Sequence, residues 1–131
     1  MSVFATGGPC PCGSATSYDA CCGRLHRGEA EAETAEQLMR ARYSAYAVGD
    51  ADYLFRSWHP RTRPPGVFEP EQTRWRALQI HSVRDGGVGE PEGVVEFTAS
   101  YESDAGPGEL HERSRFVRRA GRWVYLDGEM V

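Results

Sequence analysis

The sequence predicts an α+β fold, with helices in the first half of the chain and an antiparallel sheet in the second. Apolar residues recur at helical spacing from Ala35 to Tyr46, and alternating patterns separated by glycine-containing turns begin after Arg76. All four cysteines precede both regions, between Cys10 and Cys22. We therefore expect a small cysteine-bearing segment followed by a single α+β domain.

The cysteine segment reads C-P-C-G-S-A-T-S-Y-D-A-C-C, which is the pattern C-x-C-x8-C-C. Four thiolates this close in sequence can converge on one tetrahedral Zn²⁺. Pro11 favours an extended backbone at Cys10, and Gly13 permits the positive φ of a tight turn. Residues 1–28 contain few aliphatic side chains, so the metal would have to supply the folding energy of this segment.

Two other arrangements of the thiols are open: disulfides pairing Cys10 with Cys21 and Cys12 with Cys22, or free buried thiols. Met1 to Pro9 shows neither a basic region nor an apolar stretch of a signal peptide, so we expect a cytoplasmic chain. Clustered cysteines in that compartment bind metal more often than they form disulfides. The residues alone therefore favour zinc, with a redox sensor that releases zinc on oxidation as a weaker alternative.

Composition excludes several classes of protein. The chain has 131 residues, which is room for one domain and a small appendage. A net charge of −4 argues against non-specific nucleic-acid binding. No apolar run approaches the roughly 20 residues of a membrane helix.

The helical half has clear boundary signals. Thr34 and Gln37 form a capping box at the start of the first helix, and Gly49 ends it. Asp50 caps a second, short helix that reaches Phe55. Prolines follow at 60, 64 and 65, and Pro70 fits the first position of a short helical turn over 69–75.

Four strands follow, at 77–83, 94–102, 109–119 and 122–127, with turn residues between them. Strand alternation places Glu112, Ser114 and Phe116 on one face of the third strand and Arg113, Arg115 and Val117 on the other. The same rule gives the second strand one apolar face, formed by Val95, Phe97, Ala99 and Tyr101.

The cysteine segment resembles the SEC-C motif, a zinc-binding module named for the C-terminus of the SecA translocation ATPase. The resemblance implies one structural zinc, and it rests on Cys10, Pro11, Cys12, Gly13, Ser14, Tyr18, Cys21 and Cys22. It assigns the four cysteines as the ligands. Many SEC-C motifs carry lysines between the cysteine pairs, whereas this chain has Ala15, Thr16, Ser17 and Asp19 there. Contact with nucleic acid or the ribosome is therefore not expected.

The remainder of the chain resembles the bacterial YchJ family, which joins an N-terminal SEC-C motif to a domain like nuclear transport factor 2. The shared stretches are L-M-R-A-R-Y-S-A-Y (38–46), D-A-D-Y-L (50–54), W-H-P (58–60), H-E-R-S-R-F (111–116) and G-R-W-V-Y-L-D-G (121–128). The resemblance implies a SEC-C motif over 1–28 and, over 34–131, a cone of helices packed on a curved antiparallel sheet. We expect residues 34–131 to fold without zinc. The resemblance implies no established biochemical activity.

Cone folds of this kind often hold a pocket between helices and sheet. The candidate pocket residues are Arg40, Arg42, Tyr46, Trp58, Glu112, Ser114 and Tyr125. We expect Glu112 to meet Arg40 or Arg42 in a structural salt bridge, because a carboxylate beside aromatic rings needs a cation. An open pocket for an anionic or carbonyl ligand is the alternative. No acid–base spacing supports catalysis by Glu112 or His59, so no catalytic residue is assigned.

Two polar features have ordinary structural interpretations. His26 lies close enough to Cys22 to act as a spare metal ligand, but four sulfurs already complete a tetrahedral site. The third and fourth strands carry a basic patch, which we interpret as a solvated sheet face in preference to a site for an anionic partner. Its members are Arg113, Arg115, Arg118, Arg119 and Arg122.

The leading functional interpretation is a non-enzymatic, cytoplasmic zinc-binding protein. Its SEC-C motif would be a protein-interaction module on a cone-shaped scaffold, by analogy with the tail of SecA, which contacts a partner protein. The competing interpretation is a small-molecule binder or an enzyme that uses the pocket of the cone. The sequence does not identify a partner, a ligand or an oligomeric state.

Overall fold

The computed structural model describes residues 8–65 and 73–131. The elements in order are α1 (Cys22–His26), α2 (Ala35–Val48), α3 (Ala51–Arg56), β1 (Arg74–Asp85), β2 (Glu92–Ser103), β3 (Gly106–Arg119) and β4 (Arg122–Met130). The order of helices followed by strands confirms the predicted α+β class. Most of the predicted helical turn over 69–75 lies outside the described residues, and Arg74 and Trp75 belong to β1.

The predicted boundaries of α2 and α3 are confirmed. The Thr34 side chain accepts a hydrogen bond from the backbone N–H of Gln37, and the Gln37 side chain accepts one from Glu33. Gly49 ends α2 with a φ of 81°, a left-handed conformation that suits glycine. Asp50 then caps α3 by accepting from the backbone N–H of Tyr53 at 3.0 Å.

Helix α2 is buried on two sides. One side packs on the sheet through residues that the helical spacing predicts, including Leu38, Met39 and Tyr43. The other side consists of small residues and is covered by the cysteine segment: Ala41, Ser44 and Ala45. The sequence predicted the first side but not the second, nor the short helix α1 that covers it.

His26 fixes α1 against α2. Its Nε2 donates to the carbonyl oxygen of Ala41 at 2.8 Å, so the Tyr18 hydroxyl, 2.6 Å from Nδ1, donates to the ring. Burial lowers the pKa of His26 and keeps the ring neutral. Arg56 of α3 donates to the carbonyl oxygen of His26, which ties the third helix to the same segment.

The four strands form one antiparallel meander in the order β1-β2-β3-β4. The register shifts between Trp75 and Ala77, between Ile80 and Ser82 in β1, and between Arg115 and Phe116 in the β3–β4 pair. Such irregularities bend a sheet and increase its twist. The meander therefore curves around the side of α2 that faces it.

The predicted strand faces agree with the observed burial. Val95, Phe97 and Ala99 of β2 are buried on the inner face, as are Ser114 and Phe116 of β3. The outer face carries Arg113 and Arg115 of the basic patch, and both are paired with carboxylates, whereas Arg118 lies across the ladder from the buried Trp123 and stacks on its ring. Arg113 bridges Glu96 and Glu129, and Arg115 forms two hydrogen bonds with Asp127. These pairs support the solvated-face interpretation over a site for an anionic partner.

Two glycines position the start of α2 against the β1–β2 turn. The backbone N–H of Ala35 donates to the carbonyl oxygen of Gly86 at 2.9 Å. A Cβ at Gly93 would lie 2.5 Å from the Cα of Gly86 and 3.1 Å from the Cβ of Ala35, so a side chain there would push the helix away. The helix therefore starts in contact with the sheet backbone.

Candidate metal centre and pocket

A tight turn brings the two ends of the cysteine segment together. The backbone N–H of Cys10 donates to the carbonyl oxygen of Thr16 at 2.9 Å, and that of Gly13 donates to Cys10 at 3.2 Å. Gly13 has a φ of 84°, which a residue with a side chain rarely adopts. The chain then turns at Tyr18, whose carbonyl oxygen accepts from the N–H of Cys21. Both cysteine pairs consequently face one point.

The four sulfurs have the spacing of a tetrahedral metal site. The Sγ atoms of Cys10, Cys12, Cys21 and Cys22 all lie within 4.8 Å of one another. Those of Cys12 and Cys21 are 3.8 Å apart, and a tetrahedron with metal–sulfur bonds of about 2.3 Å has edges of about 3.8 Å. Within residues 8–65, which contain every cysteine, no disulfide is formed. The cluster therefore fits a single thiophilic metal ion.

In the cluster, stabilisation of one thiolate disfavours ionisation of the neighbouring thiols. Hydrogen bonds from Cys12 and Cys22 lower the pKa of Cys10. The same contacts with Cys10 raise the pKa of Cys12 and of Cys22, and burial adds to the rise at both. In the absence of a cation, one thiolate is thus stabilised at the expense of its neighbours. A divalent ion removes this competition because it attracts all four thiolates.

Helix α2 supplies groups around the cysteines that the sequence did not reveal. The Ser44 hydroxyl is fully buried and lies 3.6 Å from Cys10 Sγ. Arg40 donates from Nη1 to the carbonyl oxygen of Cys12 at 2.7 Å. In the loop itself, the exposed Ser14 hydroxyl lies 3.2 Å from Cys21 Sγ. Such second-shell contacts orient metal ligands and stabilise their charge.

Among the described residues, the ligand atoms that converge on one point are the four cysteine sulfurs. Both ring nitrogens of His26 are hydrogen-bonded, to Ala41 and to Tyr18, and neither belongs to the group of convergent ligand atoms. The expectation that His26 is a structural residue and not a ligand agrees with this geometry.

A second feature lies between α2 and the inner face of the sheet, where the structure contains a cavity of about 300 Å³. Six of the seven predicted pocket residues line it: Arg42, Tyr46, Trp58, Glu112, Ser114 and Tyr125. Arg40 does not. Residues 40 and 42 lie about 200° apart around a helix, so Arg40 points to the cysteine segment while Arg42 points to the cavity.

The predicted salt bridge between Glu112 and Arg40 or Arg42 is not formed. Arg40 pairs with Glu36 at 3.0 Å. Arg42 donates to the carbonyl oxygen of Leu54 and to the Ser57 hydroxyl at the end of α3, and these acceptors hold it away from the carboxylate. Glu112 accepts from Ser114 and Tyr125 instead.

Comparison with known proteins identifies the family. Residues 34–128 match the family model described as the middle, nuclear-transport-factor-2-like domain of YchJ. A UPF0225 protein of Streptomyces coelicolor is 53% identical over 123 residues, covering 94% of this chain and 96% of the relative. The chain belongs to the YchJ family. A second YchJ relative, a UPF0225 protein of Deinococcus radiodurans, is 49% identical over 120 residues and covers 91% and 87% of the two chains.

The similarity to solved structures also covers the cysteine segment. The solution structure of a SEC-C motif containing protein from Rhodopseudomonas palustris superposes with a TM-score of 0.81 at 34% identity, covering 94% of this chain and 98% of that one. The crystal structure of a SEC-C motif containing protein from Psychrobacter arcticus gives 0.79 at 25% identity, covering 99% and 86%. None of the helices in the described part of the chain is long and apolar enough to span a membrane.

The geometry around Glu112 predicts a small effect of its replacement on stability. In Glu112→Gln the side-chain oxygen still accepts from Ser114 and Tyr125, and no salt bridge is lost. We expect the free energy of unfolding to fall by about 1 kcal/mol, in the range of one altered hydrogen bond. Urea unfolding followed by tryptophan fluorescence measures this. A loss of about 3–5 kcal/mol, typical of a broken buried ion pair, would contradict the geometry.

Proposed function

We propose that this YchJ-family chain is a zinc-binding interaction protein, in which one Zn²⁺ held by Cys10, Cys12, Cys21 and Cys22 pins the SEC-C motif onto α2. The convergence of the four sulfurs at tetrahedral spacing carries this proposal. An all-sulfur donor set suits Zn²⁺, and the hard cations Ca²⁺ and Mg²⁺ prefer oxygen. A closed set of four ligands leaves no open position for catalysis, so the metal is structural.

A groove beside the metal centre gives the interaction role a physical basis. It has a volume of about 360 Å³ and runs between the motif and the start of α2. The motif contributes Cys21, Cys22, Arg24 and Leu25, and the other side is formed by Glu33, Thr34, Glu36, Gln37 and Arg40. Loss of the metal would release one wall of this groove. Binding of a partner there would consequently depend on zinc.

The charges around the groove favour a protein partner. The Nε atom of Arg24 is buried without a hydrogen-bond acceptor among the described residues. Because Arg24 also lines the groove, a carboxylate or a backbone carbonyl of a bound segment would meet its guanidinium group. The exposed loop from Gly13 to Thr16 carries no charge, and Arg27 is neutralised by Asp19 and Glu29. Without a basic surface on the motif, the phosphates of nucleic acid find little attraction.

The proposal places the chain in the cytoplasm, where thiols stay reduced and remain able to bind metal. The redox-sensor alternative is weaker, because three of the four sulfurs are buried and the fourth is partly covered. Thiolates that are both bound to zinc and buried react slowly with oxidants.

Metal analysis tests the first half of the proposal. Purified protein should contain about one zinc per chain, with the zinc–sulfur distance near 2.3 Å by X-ray absorption.

Ser44→Ala should weaken zinc binding by about tenfold, measured by competition with a chromophoric chelator, because it removes a buried partner of Cys10. Ser14→Ala is the matched control and should have less effect, because water can replace an exposed hydroxyl. Metal-free protein with two disulfides after reducing purification would contradict the proposal.

Affinity capture with four baits tests the second half. The baits are the parent protein, the chelated protein, Arg24→Gln and, as a control on the paired arginine outside the groove, Arg27→Gln. A specific partner should be retained by the parent and by Arg27→Gln and lost from the other two. The zinc content of Arg24→Gln should equal that of the parent, which separates loss of the contact from loss of the metal. Retention of the partner by the chelated bait would refute an interaction role for the motif.

A further inference from the structure

The cavity between α2 and the sheet contains a buried cation with unused donors. Arg42 is only 4% exposed, and both of its hydrogen bonds leave from Nη1, to Leu54 at 3.0 Å and to Ser57 at 2.7 Å. Among residues 8–65 and 73–131, no acceptor takes its Nε or Nη2, and no carboxylate oxygen lies within 4.0 Å of the guanidinium. Neither nitrogen is among the fully buried unpartnered atoms of the described residues, and Arg42 lines the cavity, so both donors are available to an acceptor inside it.

The aromatic rings of Trp58 and Tyr125 flank the guanidinium. The ring centroids lie 4.9 Å and 4.7 Å from the central carbon of Arg42. These rings stabilise the charge through their faces but accept no in-plane hydrogen bond from Nε or Nη2. They hold the side chain in place and leave those donors available to a ligand.

Glu112 offers the complementary group in the same cavity. Its Oε2 accepts from the Ser114 hydroxyl and, at 3.5 Å, from the Tyr125 hydroxyl. Its Oε1 has no partner among the described residues. The opposing strand makes room for the carboxylate with Gly128, where a Cβ would collide with it. The cavity thus presents donors on one residue and an acceptor on another.

The rest of the cavity lining is mostly apolar and rich in aromatic rings. The rings of Tyr46 and Trp75 are 6.1 Å apart, and those of Trp58 and Tyr125 are 5.2 Å apart. The remaining lining is mostly apolar: Met39, Tyr43, Phe97, Ala99, Leu110 and Phe116. A site with apolar walls and a few convergent polar groups is typical of small-molecule pockets.

The opposite charges of Arg42 and Glu112 restrict the net charge of a ligand in the cavity. A carboxylate ligand would be repelled by Glu112, and an ammonium ligand would be repelled by Arg42. A neutral ligand also loses less hydration free energy on entering an aromatic cavity than a charged one does. We propose that this cavity binds an uncharged small molecule bearing an amide on an aromatic or aliphatic body, with its carbonyl oxygen on Arg42 and its N–H on Glu112.

Three probes with the same body and different ends test the proposal: phenylacetamide, phenylacetate and phenethylamine. Titration followed by tryptophan fluorescence gives the three dissociation constants. We expect phenylacetamide to bind at least about tenfold more tightly than either charged probe, because one additional good hydrogen bond is worth about that factor. Tightest binding of phenylacetate, or binding of none of the three, would overturn the proposal.

Glu112→Gln supplies a charge-neutralisation test. Removal of the carboxylate charge leaves Arg42 as the only charged group of the described lining, so phenylacetate should now bind more tightly than phenylacetamide. The matched control is Glu96→Gln, which removes a carboxylate from the outer face of β2 and should leave the preference of the parent unchanged. An unchanged preference in Glu112→Gln would show that Glu112 does not contact the ligand.

Nuclear magnetic resonance locates the ligand in the parent protein and does not depend on the folding of any variant. Trp58 and Trp75 line the cavity, whereas the indole N–H of Trp123 donates to Glu33 elsewhere. Phenylacetamide should shift the indole signals of Trp58 and Trp75 and leave that of Trp123 in place. Shifts confined to Trp123 would place the probe outside the cavity and overturn the assignment.

Discussion

The structure depends on covering helix α2 from both sides. Its sheet-facing side is a conventional apolar stripe, and its opposite side is formed by small residues that only a close-packed neighbour can bury. The N-terminal motif is that neighbour, and its buried members Cys10, Cys12, Cys22 and Leu25 join the same core as the residues beneath the helix. The motif has too few aliphatic side chains to fold by itself, so in our account a metal bond replaces the missing hydrophobic free energy.

The same helix connects the two functional features of the chain. From one side it gives Ser44 and Arg40 to the cysteine cluster, and from the other it gives Arg42 and Tyr46 to the cavity. A change in the position of α2 would therefore alter both. The sequence predicts that residues 34–131 fold without zinc and that chelation loosens only the N-terminal segment, and this stays a prediction. The shared core leads to a different expectation for α2: the sheet keeps its own packing, whereas α2 loses the cover of its outer side.

Local signals predicted the elements well, and long-range contacts account for what was missed. Some features depend only on residues that are neighbours in sequence, so they can be predicted from the sequence alone. These are the helix caps at Thr34 and Asp50, the end of α2 at Gly49 and the alternating burial of β2 and β3. The outer side of α2 was missed because alanines and a serine give no apolar signal, although their recurrence at 41, 44 and 45 is a usable sign of close helix packing. The salt bridge to Glu112 was mispredicted because acceptors on α3, distant in sequence, hold Arg42.

Hydrogen–deuterium exchange with and without zinc tests most directly whether the metal supports α2. Amide exchange is slow where hydrogen-bonded backbone is stably packed, and each segment reports its own opening free energy. Chelation should accelerate exchange in residues 8–28 and also in α2, while the amides of β2 and β3 remain protected. Acceleration confined to the cysteine segment, with α2 unchanged, would show that the helix does not need its metal-bound neighbour.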